Sequence, residues 1–182
     1  LVTEIDLKSV AGIDRLYELL SNCDVFLTNF LPEQLKVLGI SAEEIMGRFP
    51  ELIYGNLTSY GSVGQDASTP GYDATVQART GIMHLTGEAD GDPVRVGVSI
   101  LDLGSGTWLA MGILAALLER NKTGRGSLVE TSLYETAVAW VSYHLSAFQI
   151  SNNPSVRSGS GHPTFSPYGL FKTKDNDICI GV

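Results

Sequence analysis

The stretch "DVFLTNFLPEQLKVLGISAEEIMGRFPELIYGNLTSYG" (residues 24–61) changes its hydrophobic period repeatedly, and those changes decide the fold class. "DVFLTNF" (24–30) is a short apolar run, suited to a strand buried on both faces of a parallel sheet. Pro32 then leads a helical turn, since its fixed φ and missing N–H are tolerated at a helix start. "SAEEIMGRFP" follows as a second helix, with Ser41 as cap and Glu44 three residues on, a capping box. "ELIYGNLTSYG" (51–61) returns to strand. Upstream, "LVTEIDL" reads as the end of another strand, and "SVAGIDRLYELLSNC" as an amphipathic helix on Ile13, Leu16, Leu19 and Leu20. Strand, helix, strand, helix, strand predicts an α/β, Rossmann-like, doubly wound large domain. Ligands of such sheets lie beyond the carboxyl ends of the strands. Asn29 and Phe30 end one strand here, and Ser59 and Tyr60 another.

Downstream, residues 72–85 are predicted as one helix, followed by the loop "TGEADGDP". A long helix is expected over 103–119, ending at "ERNKTGRG", where Gly124 and Gly126 stop it and lead into the strand "SLVETSL". A further helix spans about 132–149. From Ser151 the texture changes: "SNNPSVRSGSGHPTFSP" is a linker or lid in Ser, Gly and Pro, and "YGLFKTKDNDICIGV" a hairpin turning at "KDND". The expected organisation is an incomplete large domain over 1–150, then a linker and the start of a small α+β domain over 151–182. A hairpin that stops in its second strand has no partner to complete a sheet, so the chain is expected to be cut.

Composition excludes several classes. Hydrophobic residues make up 43% and charged ones 18% of 182 residues, ordinary for a globular chain. A net charge of −8, from 20 acidic and 12 basic residues, argues against a nucleic-acid surface. Cys23 and Cys179 are far apart, which favours a reduced, intracellular chain without structural zinc, and the cytoplasm as its location. The longest apolar stretch, 107–118, is too short to span a bilayer, and no signal peptide is visible in a chain that starts at Leu1. His84, His144 and His162 lack metal-ligand spacing. "KTGRG" lacks the GxxxxGK[ST] pattern and follows a helix, so it is a turn and not a phosphate loop.

One carboxylate stands out. In "VRVGVSILDLGSGTW" (94–108), Asp102 sits between Leu101 and Leu103, just before Gly104 and Gly106. On position alone it is a helix N-cap, where Asp is favoured. That reading is physically compatible with a nucleophile: helix amides keep a carboxylate ionised, an apolar surround limits its hydration, and Gly104 and Gly106 either clear an approach or serve helix packing.

Six stretches together, "IDLKS" (5–9), "DVFLTNFLPEQLKVLGI" (24–40), "LIYGNLTSYG" (52–61), "PGYDATVQARTGIMHLTGE" (70–88), "PVRVGVSILDLGSG" (93–106) and "ILAALLERNKTGRGSLVETSL" (113–133), resemble the class III CoA-transferase family in order and spacing. Formyl-CoA transferase and carnitine CoA-transferase typify that family, which shares its superfamily with α-methylacyl-CoA racemase. The resemblance implies the middle of a protein roughly twice as long, an interlocked homodimer, and acyl-CoA and carboxylic acid substrates, with no cofactor beyond the CoA thioester. It places Asp102 at the family's nucleophile, which passes through an aspartyl anhydride and an aspartyl-CoA thioester. Tyr72 stands where related racemases carry His; a phenol titrating near about 10 is a poor base at neutral pH, which speaks against an isomerase. The alternative for Tyr72 is a packing aromatic, and for Asp73, a family acidic position, a first-turn helix acid. Asn29 and Phe30 match the family's CoA-contacting strand end, Phe30 against adenine; a strand-to-helix turn with a buried Phe is the alternative. Lys8 matches a basic residue near the CoA phosphates, or is a solvated lysine. The family often has Arg at the position of Val37, and Lys36 beside it points about 100° away on a helix. The rival outside enzymes is an acyl-CoA-binding module in which Asp102 only caps its helix. A piece lacking both ends is expected to be poorly soluble and inactive alone.

Overall fold

The computed structural model describes residues 2–182. In chain order its elements are α1 (Val10–Leu20), β1 (Val25–Thr28), α2 (Pro32–Leu38), α3 (Ala42–Arg48), β2 (Ile53–Thr58), α4 (Asp73–Arg79), α5 (Ile82–Leu85), α6 (Ile100–Thr123), β3 (Leu128–Ser132), α7 (Leu133–Trp140), α8 (Ser142–Ser151), β4 (Gly169–Lys172) and β5 (Asp177–Ile180). They form two compact units, Leu1–Gly71 with Asp102–Glu135, and Tyr72–Leu101 with Thr136–Val182.

The first unit is a parallel sheet in the order β1-β2-β3, with Tyr54 facing Phe26 across one ladder and Leu128 across the other. Side chains alternate along β2, so each of its neighbours in sequence meets a different layer. Tyr54 packs with Leu16, Leu20, Leu35, Ile40, Ile45 and Leu52 of the α1–α3 side. Its hydroxyl donates to Ile40 O at 2.9 Å, and burial, helped by the charges of Glu130 and Glu44, raises its pKa to about 12. Gly55 turns to the other side, where a methyl group would lie 3.2 Å from Ile113 Cδ1 of α6. Helices thus cover both faces, and the α/β, doubly wound expectation holds for this incomplete domain. Local signals explain the helices: Ser9 accepts from Gly12 N to cap α1, and Ser41 and Glu44 form the expected capping box of α3.

Two expectations fail here. Of the expected strand "LVTEIDL", Leu1 lies outside the described residues and residues 2–7 are not a strand; no described strand pairs with them, and a lone strand has no hydrogen bonds of its own. Among the described residues β1 is an edge strand, and with Leu27 60% exposed it is not buried on both faces.

α6 has 24 residues, extending the expected 103–119 helix at both ends, and is long and apolar enough by length and composition to cross a membrane. Its contacts are those of a sheet-packing helix: Ser105 donates to Ser132 O at 3.3 Å, and a methyl at Gly112 would meet Val129 Cγ1 at 2.6 Å. Arg120 in its last turn pairs with Asp24 at 2.7 Å, and Gly124 at φ 69 ends it.

In the second unit the expected single helix over 72–85 is two, because Gly81 adopts φ 83, a left-handed conformation that breaks the helix after α4. The expected helix over 132–149 is likewise divided into α7 and α8, at Val141. The segment after α8 is irregular, as its composition suggested, but it is tied to the loop after α5. His84 Nε2 meets Ser155 O at 3.1 Å, Arg157 Nη1 donates to His84 O at 3.0 Å, and Gly159 N to Gly87 O at 3.0 Å. β4 and β5 form the expected antiparallel hairpin.

Candidate active site

Asp102 is the third residue of α6, which begins at Ile100 and not at residue 103. It is a first-turn acid rather than a cap. The register of the helix explains its setting. Leu101, Ser105 and Leu109 are buried, a stripe at four-residue spacing. Asp102 is rotated about 100° from Leu101 and is exposed, where an apolar surround was expected. The helix dipole at this end favours a negative charge. Gly106 stands one turn further along the same face, and a methyl there would meet nothing within 4 Å. The result is a carboxylate at a helix start with open space over the next turn.

The same unit carries a cleft of about 590 Å³ that brings together Lys8, Phe30, Glu33, Gln34 and Val37. Phe30 is partly exposed there, one residue beyond Asn29 at the carboxyl end of β1, and its amide is held by Thr28 Oγ1 at 3.2 Å. Ile5, Leu7 and Leu38 add apolar wall. Lys8 is the cleft's basic side chain, opposed by Asp6 and Glu33. Neither Asn29 nor Lys36 lines the cleft, whereas Val37 does. The chemistry on offer is an aromatic and apolar seat with one ammonium.

Tyr72 and Asp73 belong to the second unit. Tyr72 precedes α4 and is 81% exposed. Asp73 is buried, at 5% exposure, and accepts hydrogen bonds from Gln77 Nε2 and, at 2.7 Å, from Leu101 N. Gln77 was missed from sequence, although a glutamine four residues after an aspartate on a short helix is a recognisable side-chain pair. Tyr134 was also missed; its ring lies 6.1 Å from that of Tyr60 beyond the end of β2.

These features match a known family over the whole described chain. The model of CoA-transferase family III covers residues 2–182. This chain belongs to CoA-transferase family III. Human succinyl-CoA:glutarate CoA-transferase is 37% identical over 177 residues, 97% of this chain and 40% of that protein. Acetyl-CoA:oxalate CoA-transferase of Acetobacter aceti is 35% identical, covering 97% of this chain and 46% of its own. The crystal structure of a CAIB/BAIF family protein from Brucella suis superposes with a TM-score of 0.86 at 30% identity, over 97% of this chain and 47% of that one. The chain therefore spans less than half the length of these relatives.

Proposed function

We propose that the whole protein is a CoA-transferase, moving CoA from an acyl-CoA thioester to a carboxylic acid, with Asp102 as nucleophile. The observation that carries this is the exposed Asp102 on the first turn of α6 with open space at Gly106 on the same face. One Asp102 oxygen attacks the thioester carbonyl carbon; the C–S bond breaks and CoA leaves as thiolate, giving a mixed anhydride. The thiolate attacks the Asp102 carbonyl carbon of that anhydride, releasing the donor acid and leaving an aspartyl-CoA thioester. An incoming carboxylate attacks that thioester, the thiolate leaves again, and its attack on the acyl carbonyl of the new anhydride yields product and free Asp102. Covalent catalysis divides one difficult exchange into steps between activated acyl groups.

In the cleft, Phe30 packs on adenine and Lys8 faces a CoA phosphate, with Asn29 at the strand end beside them. Lys36 is a weaker phosphate partner than Lys8, being absent from the lining. Tyr72 orients substrate rather than taking a proton, and Asp73 is a positioning residue. Relatives named for glutarate, oxalate and mesaconate support a dicarboxylic acid acceptor. The proposal includes a homodimer with residues 1–150 in its large domain, no cofactor beyond the thioester, and a cytoplasmic location consistent with two exposed, unpaired cysteines.

The test uses the full-length protein, succinyl-CoA, acetyl-CoA and other thioesters, and a panel of dicarboxylic acids. Hydroxylamine traps the acyl-enzyme, and mass spectrometry locates the hydroxamate. A hydroxamate on Asp102, absent from Asp102→Asn, is the expected result. Thioester binding without any label on Asp102 would return that residue to a structural role.

A further inference from the structure

The start of α6 is held by side chains from another helix. Like every helix, α6 opens with amides that have no partner inside it. The second of them, Leu101 N, donates to Asp73 Oδ2 at 2.7 Å. Asp73 Oδ1 accepts from Gln77 Nε2, one turn along α4. Gln77 Oε1 in turn accepts from Val96 N at 2.9 Å. Gln77 is 0% exposed, so each of its two polar atoms is matched to a group it meets in the interior. The two side chains therefore bind both ends of the segment 96–101, and the residue that follows Leu101 in α6 is Asp102.

Chemistry fixes the direction of each bond. An ionised carboxylate only accepts, so the amide nitrogen of Gln77 must face Asp73, and its oxygen is left for Val96. A leucine in place of Gln77 would keep the volume but take the acceptor from the half-buried Val96 N and remove a donor from Asp73.

We propose that Gln77, acting through Asp73 and the 96–101 segment, is a positioning residue that sets where α6 begins and hence the placement of the Asp102 carboxylate. The inference rests on the reading of Asp102 as nucleophile. A clamp of this kind acts on the reacting geometry: a displacement of about 1 Å is enough to cost about 100-fold in rate.

The exchange of bonding partners gives a direct experiment in the full-length protein. Gln77→Leu should lower kcat by about 10- to 100-fold, with KM for the thioester within about twofold. Amide exchange should rise in the peptide covering 94–103 and stay unchanged in the peptide covering β2. The double variant Asp73→Asn with Gln77→Glu restores each of these three bonds with the polarity of the middle one reversed. The new side-chain amide at position 73 donates to the new carboxylate at position 77, and its oxygen accepts from Leu101 N. The carboxylate at position 77 also accepts from Val96 N. Exchange protection and kcat should both return to within about fivefold of wild type. If protection returns and kcat stays at the level of Asp73→Asn, the charge at residue 73 acts on the substrate itself and the positioning role is overturned. Unchanged exchange in Gln77→Leu would overturn the clamp. Should Gln77→Leu not fold, Asp73→Asn and the double variant carry the same comparison. If wild type neither transfers CoA nor labels Asp102, it is the functional reading that has failed; exchange in the variants still decides the clamp.

Discussion

Gly106→Ala should make the protein more stable and a poorer enzyme. Gly106 lies in the seventh position of α6, where a glycine costs about 0.5–1 kcal/mol relative to alanine through the entropy of the unfolded chain. A methyl group built there meets no atom within 4 Å, so no clash offsets that gain. The function of the position runs the other way. Helical Cβ atoms lean toward the N-terminus, which aims a new methyl over the turn that carries Asp102. A thioester carbonyl has to come within about 3–3.5 Å of the attacking oxygen, and a misplacement of about 1 Å costs about 100-fold. Denaturant unfolding of the full-length protein should show about 0.5–1 kcal/mol of added stability at unchanged m. The rate of hydroxamate formation at Asp102, and kcat/KM for transfer, should fall about 100-fold. Full activity in a stabilised variant would refute the approach path. A loss of stability would refute the reading of the helix surface.

Gly126→Ala should be destabilising, because its Cβ would lie 1.9 Å from Leu52 O. Relieving that overlap breaks the bond from Gly126 N to Pro50 O at 2.8 Å and strains the one from Tyr54 N to Ser127 O at 3.0 Å, for about 3 kcal/mol in a denaturant midpoint; a loss below about 0.5 kcal/mol would contradict it. The segment after α8 should loosen in acid. His144 Nδ1 meets Ser155 Oγ at 2.9 Å, and burial, then the charge of His162, lowers its pKa below 6.5. The folded state thus holds fewer protons than the unfolded one, so this stability is complete above about 6.5 and declines as pH falls from there toward the folded value. Arg157, bonded to His84 O, adds a fixed positive charge to the same stretch, and the Glu88 carboxylate lies beside Gly159. Amide exchange over 151–168, corrected for its intrinsic pH dependence, should accelerate between pH 7.5 and 5.5, and His144→Gln should remove the change; a pH-independent wild type would contradict this.

The elements legible in sequence were those written in local rules. Ser41 and Glu44 announced α3, and the glycine at 124 announced the end of α6, because caps and stops act over three or four residues. The misreadings came where a distant partner decides. Residues 2–7 have strand character but, among the described residues, no strand beside them, and the exposure of Leu27 depended on what covers its face of the sheet. The apolar continuity of 72–85 hid a left-handed Gly81, since glycine also occurs inside helices and its φ is not written in the residue name.

The site follows the same division. Asp102 was legible as a residue, yet its environment turned on the register of α6. Starting the helix at Ile100 rather than at Leu103 changes a cap into a first-turn acid, and the buried side then belongs to Leu101, Ser105 and Leu109. Register depends on what holds the first amides. Here the holder is Asp73, 28 residues upstream of Leu101, and no spacing rule connects the two. A sequence can therefore display the carboxylate and conceal its placement. For this site the least legible contact is also the one that holds the amide next to Asp102.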